Sequence, residues 1–153
     1  MANTYTQIHV HVVFAVQNRE SLINKQWRKT LYLYIISIIQ DRGHKVLSIG
    51  GTENHIHILI GLRPNESLSQ LVHSIKRSSS LWINNNDLVR GRFSWQEGYG
   101  AFSCSKNQVS AICDYIENQE EHHRVKTFRE EYEDWLKFEG VEYDKRFIFH
   151  EVV

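Results

Sequence analysis

His55 and His57 stand two residues apart in the run "GGTENHIHILIGL", residues 50–62. In an extended strand, residues i and i+2 point to the same side with Cα atoms about 6.5 Å apart. The two imidazoles therefore project in parallel, while Ile56, Ile58 and Ile60 turn the other way. Two neutral imidazoles presented this way form a bidentate grip on a divalent metal. His9 and His11, in "IHVHVVFAV", have the same spacing. That pair competes as the metal site or supplies hydrogen-bond partners behind it, and pattern alone does not rank the two. Either pair could also be a polar stripe on the solvent face of a sheet.

Tyr115 and Gln119 are one helical turn apart in "YIENQ". They stack at the edge of an apolar stripe made by Val109, Ile112, Cys113 and Ile116. An amide oxygen together with two imidazoles could hold a metal. A phenol one turn away could then attack a phosphodiester that the metal polarises. The plain alternative is a packing tyrosine with its ring buried and its hydroxyl wet.

These residues need elements to position them. "TQIHVHVVFAV" alternates, with Ile8, Val10, Val12 and Phe14 on one face and Gln7, His9 and His11 on the other, which predicts a strand. "NKQWRKTLYLYIISIIQDRG" has helical period, with Asn24 as N-cap and Gly43 as the stop. "HKVLSIGG" predicts a second strand ending in a tight turn at Gly50-Gly51, and "NHIHILIGL" a third. "SLSQLVHSIKRSSSLWI" predicts a helix capped by Ser67 with Gln70 three residues on. "RFSWQEGYGAFSCS" predicts a fourth strand, and Ser105 with Gln108 caps the tyrosine helix. "TFREEYEDWLKF" predicts an acidic C-terminal helix. The order strand, helix, strand, strand, helix, strand specifies an α+β, ferredoxin-like (RRM-like) split βαβ fold. Such a fold has one antiparallel sheet with two helices on one face, leaving the other face for partners. One domain is expected over residues 1–153, with the tyrosine and C-terminal helices over 105–139 and a tail over 140–153.

At 153 residues, 41% hydrophobic and 24% charged, the chain suffices for one soluble core. No apolar run is long enough to span a membrane, and no secretory pattern opens the sequence. Cys104 and Cys113 do not make a disulfide framework or a four-cysteine zinc site, so a cytoplasmic, reduced protein is expected. The net charge of zero conceals a basic first part, residues 1–92, and an acidic remainder. The basic part could receive a phosphate backbone, or the two parts could simply attract one another.

Together these segments resemble the single-tyrosine HUH transposases of small insertion sequences, including the REP-associated tyrosine transposases. "HIH" at 55–57 matches the His-hydrophobic-His motif, and "YIENQ" matches a tyrosine followed four residues later by glutamine. "IHVHVVFAVQNR", "SLSQLVHSIKRSSSLWI" and "FSWQEGYGAFS" are similar to the corresponding family segments, so the resemblance runs from about residue 5 to about residue 145. Relatives often carry Asp where this chain has Asn54. The resemblance implies Mg²⁺ or Mn²⁺ held by His55, His57 and Gln119. It implies attack by Tyr115 on single-stranded DNA, leaving a 5′-phosphotyrosine link and a free 3′-hydroxyl. It also implies DNA hairpins at element ends as substrates, and a homodimer whose tyrosine helix acts in cis or in trans.

For DNA contact, Lys76 lies beside the apolar stripe of its helix, about 100° from its centre, while Arg77 faces solvent. Arg19, Lys45, Arg63, Arg90 and Arg92 are further candidates for phosphate contacts. Trp95, Gln96 and Tyr99 are candidates to meet unpaired bases, with Trp95 also a candidate for the core. His9, His11 and Asn54 are candidates to support the metal ligands from behind. His122 and His123 in "EEHHR" diverge on a helix and read as a polar helix end. Two other functions compete. A non-catalytic RRM-like nucleic-acid-binding module would need aromatics on its central strands, where this chain has histidines. A metal-dependent nuclease without a tyrosine intermediate would need a carboxylate base at the metal, and none is evident beside "HIH".

Overall fold

Alternation sends Val10, Val12 and Phe14 of the first strand (β1, His9–Ala15) into one apolar cluster, and Val13 and Ala15 into another on the opposite side. The structure, a computed structural model, describes residues 4–143 except for the side chain of Arg19; most of the expected 140–153 tail lies outside that range. Three more strands follow: β2, Lys45–Gly51; β3, His55–Gly61; and β4, Gly100–Cys104. The sheet order is β2-β3-β1-β4 and every neighbouring pair is antiparallel. This is the split βαβ arrangement expected from the element order.

Two helices cover the first face: α1, Lys25–Asp41, and α2, Leu68–Asn85. Their N-termini are fixed as the sequence predicts. The Asn24 side chain accepts from the Gln26 N–H at 2.9 Å, and Ser67 Oγ accepts from the Gln70 N–H at 3.2 Å. Leu31, Ile35 and Ile39 of α1 and Leu71, Val72 and Ile75 of α2 meet Ile56, Ile58 and Ile60 of β3 in the larger core. Each such side chain contributes roughly 1.5–3 kcal/mol by leaving water.

The second face is covered rather than open. After the Ser105–Gln108 capping box come α3, Val109–Glu117, α4, Gln119–His122, and α5, Phe128–Glu139. Phe128 and Leu136 of α5 pack with Val13, Ala15 and Phe102 in a second cluster. As a result His11, His55 and His57 are all 0% exposed. The tyrosine helix breaks at Asn118, so Gln119 opens α4.

Two further expectations change. Gly50 and Gly51 are not the turn; they remain in β2, and the chain reverses over Thr52–Asn54. A Cβ on Gly50 would stand 2.3 Å from the Ile116 carbonyl oxygen, so the missing side chain lets α3 lie on the sheet. The fourth strand is shorter than predicted. Residues 92–99 form a loop with an isolated Val16–Trp95 bridge, in which the Asn84 and Lys76 side chains bond the backbone of Phe93, Gln96 and Gly98 where a longer strand would pair with a neighbour. No helix among the described residues is long and apolar enough to cross a membrane.

Candidate active site

β3 presents His55 and His57 on the face covered by α3–α5, paired across to Ala15 and Val13 of β1. The Nδ1 atom of each ring is held from behind. Asn54 Oδ1 lies 2.7 Å from His55 Nδ1, and Thr52 Oγ donates to the same Asn54 oxygen at 3.1 Å. An amide oxygen only accepts, and one lies against each ring nitrogen, Asn54 Oδ1 on Nδ1 and Gln119 Oε1 on Nε2, so a neutral His55 can donate to only one of them. His57 Nδ1 is 2.8 Å from His11 Nε2. His11 thus supports the pair from β1 instead of competing with it. His9 lies two residues further along β1, paired with Gly61, and its Nδ1 is buried without a hydrogen-bond partner.

Gln119 and Tyr115 come to the same place. Gln119 Oε1 is 2.9 Å from His55 Nε2, and its amide nitrogen donates to Glu131 at 3.2 Å and to the Tyr115 carbonyl at 3.4 Å. The Tyr115 ring stands edge-on to His57, with centroids 5.8 Å apart. Its hydroxyl donates to Glu131 Oε2 and accepts from Trp135 Nε1 at 3.2 Å.

Glu131, on α5, is the residue sequence reasoning missed. Its Oε1 lies 3.0 Å from His57 Nε2, 3.2 Å from His123 Nε2 and 3.6 Å from His55 Nε2. The signal was present: Phe128, Glu131 and Trp135 fall on one helical stripe, which puts an acid among apolar residues. His123 is likewise not part of a solvated helix end. Its ring packs 4.5 Å from that of His55, while the His122 ring lies tilted against Tyr115, centroids 4.5 Å apart. Phe128 closes the site by stacking on His55 with centroids 4.2 Å apart.

Burial sets the charge states. It holds His55 well below the ordinary histidine value, reinforced by His57 and opposed by Glu131. Burial, with His57 again adding to it, lowers His11 to about 3. Both rings are therefore neutral at pH 7. Burial pushes Glu131 the other way, upward, but the hydrogen bonds from His123 and His57 outweigh it and hold the carboxyl well below the usual carboxylate range. Burial and the Glu131 charge raise Tyr115 above its ordinary value, so its proton stays on until that environment changes.

The DNA-contact candidates separate. Lys76 donates to the carbonyls of Gln96 at 2.8 Å and Gly98 at 2.5 Å, so its ammonium pins the 96–98 turn; burial lowers it to about 8. Trp95 is corrected to a core residue: its ring packs edge-on against Phe14 and Phe93 and its Nε1 donates to Ser79. It has no face left for a base. Gln96 accepts from the Asn18 N–H, and Tyr99 is half-buried against the larger core. Arg77, Lys45, Arg63, Arg90 and Arg92 are exposed.

A family model described as "Transposase IS200 like" matches residues 4–119. The chain belongs to the IS200-like transposase family. Among curated relatives, the transposase for insertion sequence element IS200 of Salmonella typhimurium is 27% identical over 130 residues, 82% of this chain and 85% of that protein. The ISDra2 transposase TnpA of Deinococcus radiodurans is 21% identical over 118 residues, covering 74% and 84%. A solved structure of a transposase from Deinococcus radiodurans R1 aligns with TM-score 0.63 at 19% identity, covering 78% of this chain and 95% of that one. A REP-associated tyrosine transposase bound to a REP hairpin aligns with TM-score 0.61 at 17% identity, covering 80% and 73%. The IS200-like chain described here is accordingly a DNA transposase, with the same α+β architecture as those two structures.

The IS200-like family implies a divalent metal, and the donor set fits one. A neutral His55 has one ring proton for two amide oxygens, Asn54 Oδ1 at 2.7 Å and Gln119 Oε1 at 2.9 Å, so one of these contacts has no proton to share, and a cation between Nε2 and Oε1 would resolve it. Adjacent ligands of a six-coordinate ion with bonds near 2.1 Å lie about 3.0 Å apart. The His55–Gln119 and His57–Glu131 contacts, at 2.9 and 3.0 Å, match that spacing.

Proposed function

We propose that this transposase cleaves and rejoins single-stranded DNA through a covalent tyrosine intermediate, with His55, His57 and Gln119 holding Mg²⁺ or Mn²⁺ and Tyr115 as nucleophile. The observation that carries the reading is the shared carboxylate: the Tyr115 hydroxyl and His57 Nε2 meet the two oxygens of Glu131. Nucleophile and metal donors therefore converge within a few ångströms.

An ion held by His55, His57 and Gln119 would supply Lewis-acid polarisation of the scissile phosphate. The chain's own groups do the rest. Asn54 and His11 hold the two imidazoles so that both Nε2 atoms face one point. Trp135 and Glu131 orient the Tyr115 hydroxyl, and Glu131 Oε2 is in place to accept its proton. The Tyr115 oxygen forms a bond to phosphorus, and the bond from phosphorus to the 3′-oxygen breaks. That oxygen leaves with the electron pair and takes up a proton. The 5′ end remains on Tyr115, and a 3′-hydroxyl attacking the same phosphorus reverses the step. No water is consumed, so the phosphodiester energy is retained.

The substrates proposed are single-stranded flanks of DNA hairpins, as the hairpin-bound structural relative suggests. The working unit proposed is a homodimer in the cytoplasm, with the tyrosine helix serving its own or the partner's histidines. Arg19, Arg77, Gln96 and Tyr99 stay as proposed DNA contacts, and Lys76 contributes charge from its place under the 96–98 turn. One observation favours a second reading. Glu131 is a carboxylate beside "HIH", which a hydrolytic nuclease would need as a base.

Incubation of the protein with Mn²⁺ and labelled single-stranded DNA carrying a hairpin separates the two. A covalent adduct that disappears in Tyr115→Phe, while binding persists, supports the transposase chemistry. Cleavage without any adduct in Tyr115→Phe supports hydrolysis.

A further inference from the structure

We infer that Glu131 is itself a ligand of the metal, joining His55, His57 and Gln119 through Oε1; the inference rests on the histidine pair being the metal site. His55, His57 and Glu131 each offer one donor atom, and these atoms all lie within 4.8 Å of one another. The Glu131 Oε1 distances to the two imidazole nitrogens, 3.0 and 3.6 Å, lie at and somewhat above the edge of about 3.0 Å expected between ligands of an octahedral ion.

Glu131 is buried, and among the described residues its ion-pair partners are three histidines, with no lysine or arginine. A buried carboxyl group needs a partner for each oxygen, and a divalent cation at the imidazoles would be one for Oε1. Magnesium and manganese also favour carboxylate oxygen over imidazole nitrogen, so the donor set is better matched to them with Glu131 than without it.

The placement has a consequence for the C-terminal part of the chain. α5 lies beyond residues 4–119, so the shared family pattern does not specify this ligand. Glu131 ties α5 to the site, and its second oxygen, bonded to Tyr115, links the metal to the nucleophile.

The test is a Mn²⁺ titration of the full chain without DNA, followed by the paramagnetic resonance signal of the free ion. Glu131→Gln keeps the size of the side chain and removes its charge. We expect at least about tenfold weaker binding, as loss of a group bonded to a metal site produces. Unchanged or tighter binding in a folded Glu131→Gln protein overturns the inference. Wild-type protein gives a second decision should that variant fail to fold. Four protein donors leave two positions of an octahedron for water, so water relaxation that counts about two waters on bound Mn²⁺ supports the assignment and about three overturns it. His55→Ala tests the underlying reading separately. Undiminished Mn²⁺ binding there removes the histidine pair as the metal site, whereas failure at Glu131 alone leaves the pair in place.

Discussion

Gly50 lies directly beneath the carbonyl of Ile116, and no other residue type fits there: a Cβ at position 50 would stand 2.3 Å from that oxygen. Ile116 follows Tyr115, so this contact sets the height of the proposed nucleophile above the sheet. Gly50→Ala is expected to lift α3, at a cost of about 1–3 kcal/mol for overpacking against backbone. A lower thermal midpoint together with a reduced rate of DNA cleavage is the expected result. An unchanged midpoint would mean that the helix yields freely.

His11 is fully buried and holds His57 through the 2.8 Å contact between ring nitrogens. It is packed edge-on against Trp135, centroids 4.8 Å apart, so an aromatic replacement keeps most of the packing. His11→Phe should fold and should bind Mn²⁺ about 10–100-fold more weakly, the usual loss when a group orienting a metal ligand is removed. Calorimetric titration of metal into the variant checks this.

Asn54 orients His55 with a neutral oxygen at 2.7 Å. Asn54→Asp replaces it with a charged acceptor of the same shape, which makes Nε2 a stronger donor to metal. Mn²⁺ should bind more tightly in the variant, and the gain should vanish in the double variant with His55→Ala. Weaker binding would show that the neutral oxygen is the preferred partner.

Away from the site, hydrogen bonds from Arg42 hold the Glu66 carboxyl down, from 4.5 to about 2, against burial and with help from His44. The folded-state value is the lower one, so folding favours the ionised form. This contribution is complete above about pH 4.5 and is lost as pH falls from there toward 2. Urea unfolding across that range should show a decline in stability that is shallower in Glu66→Gln.

The fold was legible because its signals are local. Alternation in "HVHVVFA", the Asn24 and Ser67 caps and the Ser105–Gln108 box each act within a few residues, and each appears as read. The element order then leaves few topologies open. His55, His57, Tyr115 and Gln119 were legible as a set because strand and helix periods fix their directions, and the structure brings them together. What failed depended on tertiary contact. Gly50-Gly51 carries the composition of a turn, but the constraint comes from Ile116, far along the chain. Trp95 was open between the core and base stacking, and the choice is made by Phe14, Phe93 and the Ser79 hydroxyl, which meet its ring and its Nε1 inside the fold. Glu131 sits in an acidic helix where any carboxylate looks solvated; its burial becomes visible once α5 is laid across the histidines.

The proposed chemistry requires Tyr115 to become covalently joined to DNA. The most direct test is mass spectrometry of the protein after reaction with Mn²⁺ and a hairpin-bearing single strand, followed by nuclease and protease digestion. The expected product is a peptide spanning Tyr115 that carries a 5′-linked nucleotide on that residue. A nucleotide on any other side chain, or cleaved DNA with no modified peptide, would contradict it.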